Sequence, residues 1–295
     1  MAFQSLVEIV VRARREGYAI GYFESWNLEA LQGVVDAAEQ MRSPTILGFN
    51  GEFLSGRERA ASERLELYAA LGRAACASAT VPCGLIFNEC ADDQWIERAG
   101  SAGFNLVMPA NPKLPFAEYV AWVRLVVRRA HAIGVGVEAE VGELPSGTSG
   151  LSDHAGTKTD PERAEGFVEA TGVDLLAVSV GNVHVLIEGE QGLDLDRLEA
   201  IGRRVAVPLV LHGGSGIVAS DLQAAIRMGV AKVNYGTYLK QRYLAAVRGA
   251  LGAGETNPHE LLGMGGRRDV MVAGRVAVRD AVLERIGLLG CCGKA

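Results

Sequence analysis

Aromatic residues make up only 6% of this 295-residue chain, prolines number 9 and cysteines 5. Five cysteines (Cys76, Cys83, Cys90, Cys291 and Cys292) in so long a chain do not make a disulfide framework, and they lack zinc-finger spacing. The sequence therefore reads as a reduced, cytoplasmic protein. No apolar run approaches the roughly 18 residues that a membrane span needs. The opening MAFQSLVEIVVRARREG has no apolar signal core followed by a small-residue cleavage site, and reads instead as an amphipathic helix. Positive charge is in deficit: 29 Lys and Arg face 35 Asp and Glu, a net charge of −6. That balance excludes a general affinity for nucleic acid or an anionic membrane. No Pro/Ser-rich linker or abrupt charge shift divides the chain, so residues 1–295 read as one domain.

What is present is a repeat of one pattern. Apolar residues are 49% of the chain, enough for a sizeable core. Eight short apolar runs predict strands at Tyr18–Phe23, Thr45–Phe49, Gly84–Phe87, Leu106–Met108, Val135–Ala139, Leu175–Val180, Leu209–Leu211 and Lys232–Val233. They are nearly continuous rather than alternating, as parallel strands covered on both faces require. Helical periodicity fills the intervals, as in Leu28–Gln40, Glu63–Ala77 and Glu118–Ala132. Ser220 is placed to cap a helix that Gly229 ends. Eight such units over about 250 residues predict an α/β fold of the (β/α)₈ TIM-barrel class. An open doubly wound sheet fits less well, since no GxGxxG turn follows the first strand. Residues 268–295 read as a C-terminal helix and tail.

In a barrel, catalytic groups sit at the carboxyl ends of the strands, where the loops converge. The residues at or just past the expected ends are Glu24, Asn50, Asn88 with Glu89, Asn111, Glu140, His184, His212 and Asn234. Nearly every unit delivers a polar or metal-capable side chain there, including two of the chain's five histidines. After the seventh strand comes His212-Gly213-Gly214-Ser215-Gly216, and after the eighth Asn234-Tyr235-Gly236-Thr237. Glycines let backbone N–H groups approach an anion closely, and the following helix N-terminus adds favourable partial charge. These loops predict a phosphate site, with Ser215 and Thr237 as hydroxyl donors. Tight-turn geometry alone is the plainer alternative.

His184 and His212, with Glu140 and Glu89, make a competent donor set for one divalent ion: Zn²⁺ first, Mn²⁺ or Fe²⁺ as alternatives. Glu138 lies two residues before Glu140 on the same strand face, so Glu140, at the strand end, reads as the ligand and Glu138 as an ion-pairing residue deeper in the core. The span 143–160 lacks apolar periodicity and predicts a mobile lid, with Asp153 and His154 inside it. His131 and His259 read as surface residues.

These motifs resemble those of the class II, metal-dependent ketose-bisphosphate aldolases. The resemblance runs nearly end to end, through NLEALQGVVDAAEQMRSPTILG, VEAEVG, TDPERAEGFVEATGVDLLAVSVGNVH, LDLDRLEAIGRRVAVPLVLHGGSGI, GVAKVNYGTYLK and the closing GLLGCCGKA. It implies a homo-oligomeric barrel, dimer or tetramer, that reversibly cleaves a small phosphorylated sugar, a ketose phosphate, to dihydroxyacetone phosphate and an aldehyde. By motif, His184 and His212 match metal-binding histidines and Glu140 the carboxylate beside the metal. Gly213, Gly214, Ser215, Gly236 and Thr237 fall in the phosphate loops. Asn234 matches the asparagine that contacts the bound ketone unit, and Asn50 joins the substrate-contacting set.

Departures from the pattern stand beside the matches. Where the family carries L-H-L-D-H-G, this chain reads Leu85-Ile86-Phe87-Asn88-Glu89-Cys90. Asn88 can hydrogen-bond a substrate oxygen but cannot exchange a proton near neutral pH. Glu89 can stand in for the missing metal histidine. The family's A-F-N is Tyr22-Phe23-Glu24, and the lid reads Pro145-Ser146-Gly147-Thr148-Ser149-Gly150 in place of its usual glutamate. Two carboxylates have gone and two new ones, Glu24 and Glu89, have arrived at strand ends. The sequence therefore predicts an aldolase with a redistributed acid/base set drawn from Glu24 or Glu89, with Asn88 beside them. A metal-assisted sugar-phosphate isomerase or epimerase working through an enediolate, and a non-catalytic sugar-phosphate-binding homologue, are the other readings.

Overall fold

The computed structural model describes residues 2–144, 156–183, 189–252, 254 and 257–295. The near-continuous apolar runs form eight parallel strands, β1 (Ile20–Glu24), β2 (Thr45–Asn50), β3 (Cys83–Cys90), β4 (Leu106–Pro109), β5 (Gly136–Val141), β6 (Leu175–Val178), β7 (Leu209–Leu211) and β8 (Val230–Tyr235). They pair in chain order and β8 returns to β1, closing the barrel. Strand residues are buried almost without exception, because the barrel interior covers one face and the helical ring the other. The fold is the expected TIM barrel.

The helices form where periodicity places them, with local caps. In chain order they are α1 (Leu6–Glu16), α2 (Leu28–Met41), α3 (Gly51–Ser55), α4 (Leu65–Ser78), α5 (Asp93–Ala102), α6 (Phe116–His131), α7 (Pro161–Thr171), α8 (Leu195–Arg204), α9 (Ala219–Arg227), α10 (Thr237–Leu251), α11 (Pro258–Leu261) and α12 (Val270–Leu289). Asn27, Asp92, Asp160 and Asp194 each accept backbone N–H groups at helix starts. One expectation is corrected. α9 begins at Ala219 with Val218 as its capping residue, so Ser220 lies inside the helix, and the helix stops at Arg227. Gly229 still works as a turn residue, at φ 106° on the way into β8.

The strands also run past several expected ends. β3 reaches Cys90 rather than Phe87, β5 reaches Val141 rather than Ala139, and β8 spans Val230–Tyr235 rather than two residues. Glu24, Asn50, Asn88, Glu89, Glu140 and Asn234 are therefore strand residues. The sheet, rather than a loop, sets their direction, which makes the site more rigid.

The C-terminal helix α12 closes the ring against α2 and α10. Gly33 permits the close crossing: a Cβ there would stand 2.6 Å from the Arg275 carbonyl oxygen and 3.0 Å from Val278 Cβ. Beside it, Arg275 grips Asp36 with two hydrogen bonds of 2.6 and 2.7 Å. After Gly290 the tail runs back onto the end of α2, where Gly293 and Ala295 donate to the carbonyls of Met41 and Arg42. Among the described residues, no helix is long and apolar enough to cross a membrane. Replacing Gly33 by Val should push α12 from α2 at a cost of about 1–3 kcal/mol, a Tm loss of ~2–4 °C per kcal/mol. Scanning calorimetry checks this, and an unchanged Tm would show that the crossing has slack.

Candidate active site

Successive residues of a strand face opposite sides of the sheet, so a regular β3 cannot send both Asn88 and Glu89 into the barrel. The backbone resolves the conflict. Glu89 adopts φ 53°, a left-handed conformation rare for a residue with a side chain. The pairing of β3 with β4 shifts register between Phe87 and Cys90 at the same point. Phe87 packs among Trp95 and Phe104 in the helical layer, Asn88 turns inward, and the shift brings Glu89 inward too. Such a conformation costs roughly 1–3 kcal/mol and persists where surrounding contacts hold it.

Those contacts are ionic. Glu89 Oε1 lies 2.9 Å from His212 Nδ1, and Asn50 Nδ2 donates to Glu89 Oε2 at 2.7 Å. On the other side of the ring, His212 Nε2 is 3.0 Å from Glu138 Oε1. Glu138 Oε2 is in turn 2.8 Å from Lys232 Nζ, which donates to Asn234 Oδ1 at 2.6 Å. His212, Glu138 and Lys232 expose 1%, 0% and 0% of their side chains, so this chain of charges lies inside the barrel rather than on it. Burial pushes the Glu138 carboxyl up, but the Lys232 ammonium and the His212 ring outweigh it and hold it below the ordinary carboxylate range. Burial likewise lowers Lys232, against the pull of Glu138. For His212, burial favours the neutral ring, yet the Glu138 and Glu89 carboxylates prevail and the imidazole is pushed up to about 10.

Glu140, two residues along β5 from Glu138, lines a mouth cavity of about 700 Å³ together with Glu89, Asn111, Lys113, Tyr119 and Arg163. The volume is in the range of small-molecule sites. Glu24, at the end of β1, pairs with Lys240 of α10 at 2.6 Å. Its Oε2 would lie 2.3 Å from a Cβ at Gly236, so a side chain there would displace the Glu24 carboxylate. Gly213 is left-handed at φ 67° and opens the turn Gly214–Gly216. Ser215 Oγ accepts the Tyr238 N–H at 3.4 Å, tying the two glycine turns together at the start of α10. The capping position of α10 is Gly236, which has no side chain to offer the first N–H groups, and Thr237 is the first residue of the helix.

Other expected residues take different parts. Asn50 has both ends of its amide engaged within the protein, Nδ2 on Glu89 and Oδ1 on the N–H of Phe53 at the start of α3. It holds Glu89 in place. Asn88 and Asn234 are buried, and Asn88 Oδ1 and Asn234 Nδ2 have no hydrogen-bond partner among the described residues. His131 pairs with Asp174 at the surface and His259 is exposed. His184, Asp153, His154 and residues 145–155 of the expected lid lie outside the described residues. Among the described residues, no group of three or more His, Cys, Asp and Glu is arranged to hold a metal ion.

Two contributors escaped the sequence reading. Lys232 is a charged residue in the apolar run Val230–Val233, a position where lysine is almost never buried unless paired, and that was the available signal. Asn182, fully buried, donates to the carbonyls of His212 and Val178 and accepts from Val180 N–H, so it braces the turn after β6 against β7. Nothing in its sequence context marked it.

Comparison with known proteins agrees with the whole chain rather than with a fragment. The family model for fructose-bisphosphate aldolase class-II matches residues 4–294. The chain is 35% identical to the uncharacterized protein YdjI of Escherichia coli K12 over 96% of both chains. It is 33% identical to a probable fructose-bisphosphate aldolase of Bacillus subtilis over 100% of both. The crystal structure of the YdjI aldolase from Escherichia coli K12 superposes with a TM-score of 0.83 at 32% identity, covering 99% of each chain.

The charge chain makes a pH-dependent contribution whose sign is fixed. His212 protonates near pH 10 when folded against about 6.5 when unfolded, so its stabilisation is complete below about pH 6.5 and is lost as pH rises towards about 10. In chelator-treated protein, the Tm difference between the parent and a His212→Gln variant should shrink from about pH 7 to about pH 10. Thermal unfolding at stepped pH reads this. A difference independent of pH would mean that the ring is not held as the imidazolium.

Proposed function

Since the chain belongs to the class-II fructose-bisphosphate aldolase family and is by that membership a lyase, we propose that it cleaves a ketose phosphate in a metal-dependent retro-aldol reaction to dihydroxyacetone phosphate and an aldehyde. The observation that carries this reading is the inward turn of Glu89 onto His212, 2.9 Å apart. A carboxylate oxygen from β3 and an imidazole nitrogen from the end of β7 converge across the barrel mouth, and both are donors that zinc, manganese or iron accepts. His184 and His212, with Glu89 in the place of the family's third histidine, would hold the ion, and Glu140 would stand beside it. When bound, the ion supplies Lewis-acid polarisation of the substrate carbonyl.

The protein's own groups do the remaining work. Gly213, Gly214, Ser215, Gly236 and Thr237, at the uncapped start of α10, form the phosphate cradle, with Lys240 offsetting the Glu24 carboxylate nearby. Asn234 Nδ2 donates to an oxygen of the ketone unit. Asn88 orients a substrate hydroxyl but carries no exchangeable proton near neutral pH. With both oxygens of Glu89 engaged by His212 and Asn50, we assign the proton-transfer role to Glu24, which ends β1 beside Lys240.

Protein purified without chelator should carry about one equivalent of zinc, manganese or iron per chain, and a His184→Ala, His212→Ala double variant should carry almost none. A panel of ketose phosphates, read by dihydroxyacetone phosphate release, should yield at least one substrate whose cleavage stops with chelator and returns with metal. Glu24→Gln should keep the metal and lose roughly 10²–10⁴-fold in kcat. Failure of the metal-loaded protein across the panel would overturn the aldolase reading. Solvent deuterium entering a substrate that is never cleaved would favour isomerisation instead.

A further inference from the structure

Lys232 is the one fully buried lysine or arginine among the described residues, and no step of the proposed reaction uses it. Taking an ammonium out of water costs several kcal/mol even after relaxation, and a hydrophobic residue of similar volume would avoid that cost. Its contacts show what the charge does. Lys232 Nζ touches Glu138 Oε2 at 2.8 Å and Asn234 Oδ1 at 2.6 Å, and lies 5.2 Å from the centre of the Tyr22 ring. We propose that Lys232 is a positioning residue that sets two groups of the active site at once: the ligand face of His212 through Glu138, and the donor face of Asn234 directly.

The argument for Asn234 is one of hydrogen-bond chemistry. An ammonium only donates, so the amide atom facing Lys232 must be the carbonyl oxygen. The NH₂ end is then turned the other way, and it is buried with no partner among the described residues. An unpaired buried donor is costly, and the aldolase reading assigns this one to the ketone unit of the substrate. Without Lys232, the amide is free to rotate by half a turn and present an acceptor instead.

The argument for His212 runs through Glu138. With Oε2 held by Lys232, Glu138 offers Oε1 to His212 Nε2 at 3.0 Å. A neutral ring bonded in this way carries its proton on Nε2 and leaves the Nδ1 lone pair facing Glu89, the direction from which an ion would be bound. One cation thereby orients a metal donor on β7 and a substrate donor on its own strand, β8.

The amide half of this inference rests on the aldolase reading; the histidine half rests only on a bound ion. The experiment therefore has two arms. Parent, Lys232→Met, a charge-balanced Lys232→Met/Glu138→Gln double variant, Asn234→Ala and Lys232→Met/Asn234→Ala are compared by calorimetric titration. The probes are zinc on chelator-treated protein and dihydroxyacetone phosphate on zinc-loaded protein. Lys232→Met should weaken zinc about 10–100-fold, the range for losing a partner that orients a ligating histidine. Lys232→Met and Asn234→Ala should each weaken dihydroxyacetone phosphate by about tenfold, and their combination by no more than either alone, because both remove the same donor. If Lys232→Met fails to fold, the charge-balanced variant reads the same two quantities.

Unchanged zinc and dihydroxyacetone phosphate affinities in a folded Lys232 variant, with only a lowered Tm, would overturn the inference and leave a structural ion pair. Additive losses in the combined variant would overturn its amide half. A parent that binds zinc but no dihydroxyacetone phosphate would overturn the aldolase reading instead, and the zinc arm would then decide the inference about Lys232. A parent that binds neither would overturn both, since nothing would remain to be positioned.

Discussion

The structure of the mouth depends on one buried interaction, the ion pair between Lys232 and Glu138 at the centre of the barrel. Both side chains are wholly inaccessible, and each would be prohibitive alone in a low-dielectric interior. Together they balance, and each has valence left over. Glu138 spends its second oxygen on His212, and Lys232 spends a second N–H on Asn234. The polarity reaching the surface at the barrel mouth is thus anchored through a continuous chain of ion pairs and hydrogen bonds, Lys232 to Glu138 to His212 to Glu89 to Asn50. Such a chain ties five strands together through side chains as well as through the sheet, and leaves little freedom for any one member to move alone.

Glu89 shows how that chain shapes the backbone. The left-handed residue and the register shift beside it are local costs on β3, and they are offset by the contact they permit with a histidine that two carboxylates keep charged in the metal-free protein. The carboxylate that results is not a free base. Both of its oxygens are occupied, which separates its chemistry from that of Glu24, the other carboxylate the family pattern lacks. Glu24 stands across the mouth against the Gly236 turn and Lys240, with Lys240 also over the ring of Phe53 at 4.5 Å. Two carboxylates that look equivalent along the chain have different surroundings: one is held between an imidazole and an amide, the other beside an ammonium.

Much of this was legible in the chain. Near-continuous apolar runs alternating with helical periodicity can be satisfied by few architectures. Eight of them closing on themselves required no long-range information beyond the count. The rule that chemistry gathers at strand ends picked out Glu24, Glu89, Glu140, His212 and Asn234 before any contact was known. The internal bonds of Asn50 were not legible, because an asparagine at a strand end looks the same along the chain whether it faces a ligand or bridges a helix start and a neighbouring carboxylate. Lys232 was passed over because apolar neighbours on both sides concealed it in a strand pattern.

The amino-acid sequence by itself determined the barrel, its family and the identity of the groups available at the mouth, because periodicity and residue chemistry are properties of neighbours along the chain. Only the tertiary structure decided which of those groups meet. The pairings of Glu138 with Lys232, Glu89 with His212 and Glu24 with Lys240 join residues 94, 123 and 216 positions apart. Their partners are selected by barrel closure and by the register of parallel strands, which no local pattern encodes. The inward turn of Glu89 belongs to the same class. A single residue leaves the ordinary strand conformation because a charge across the barrel makes that conformation the better one.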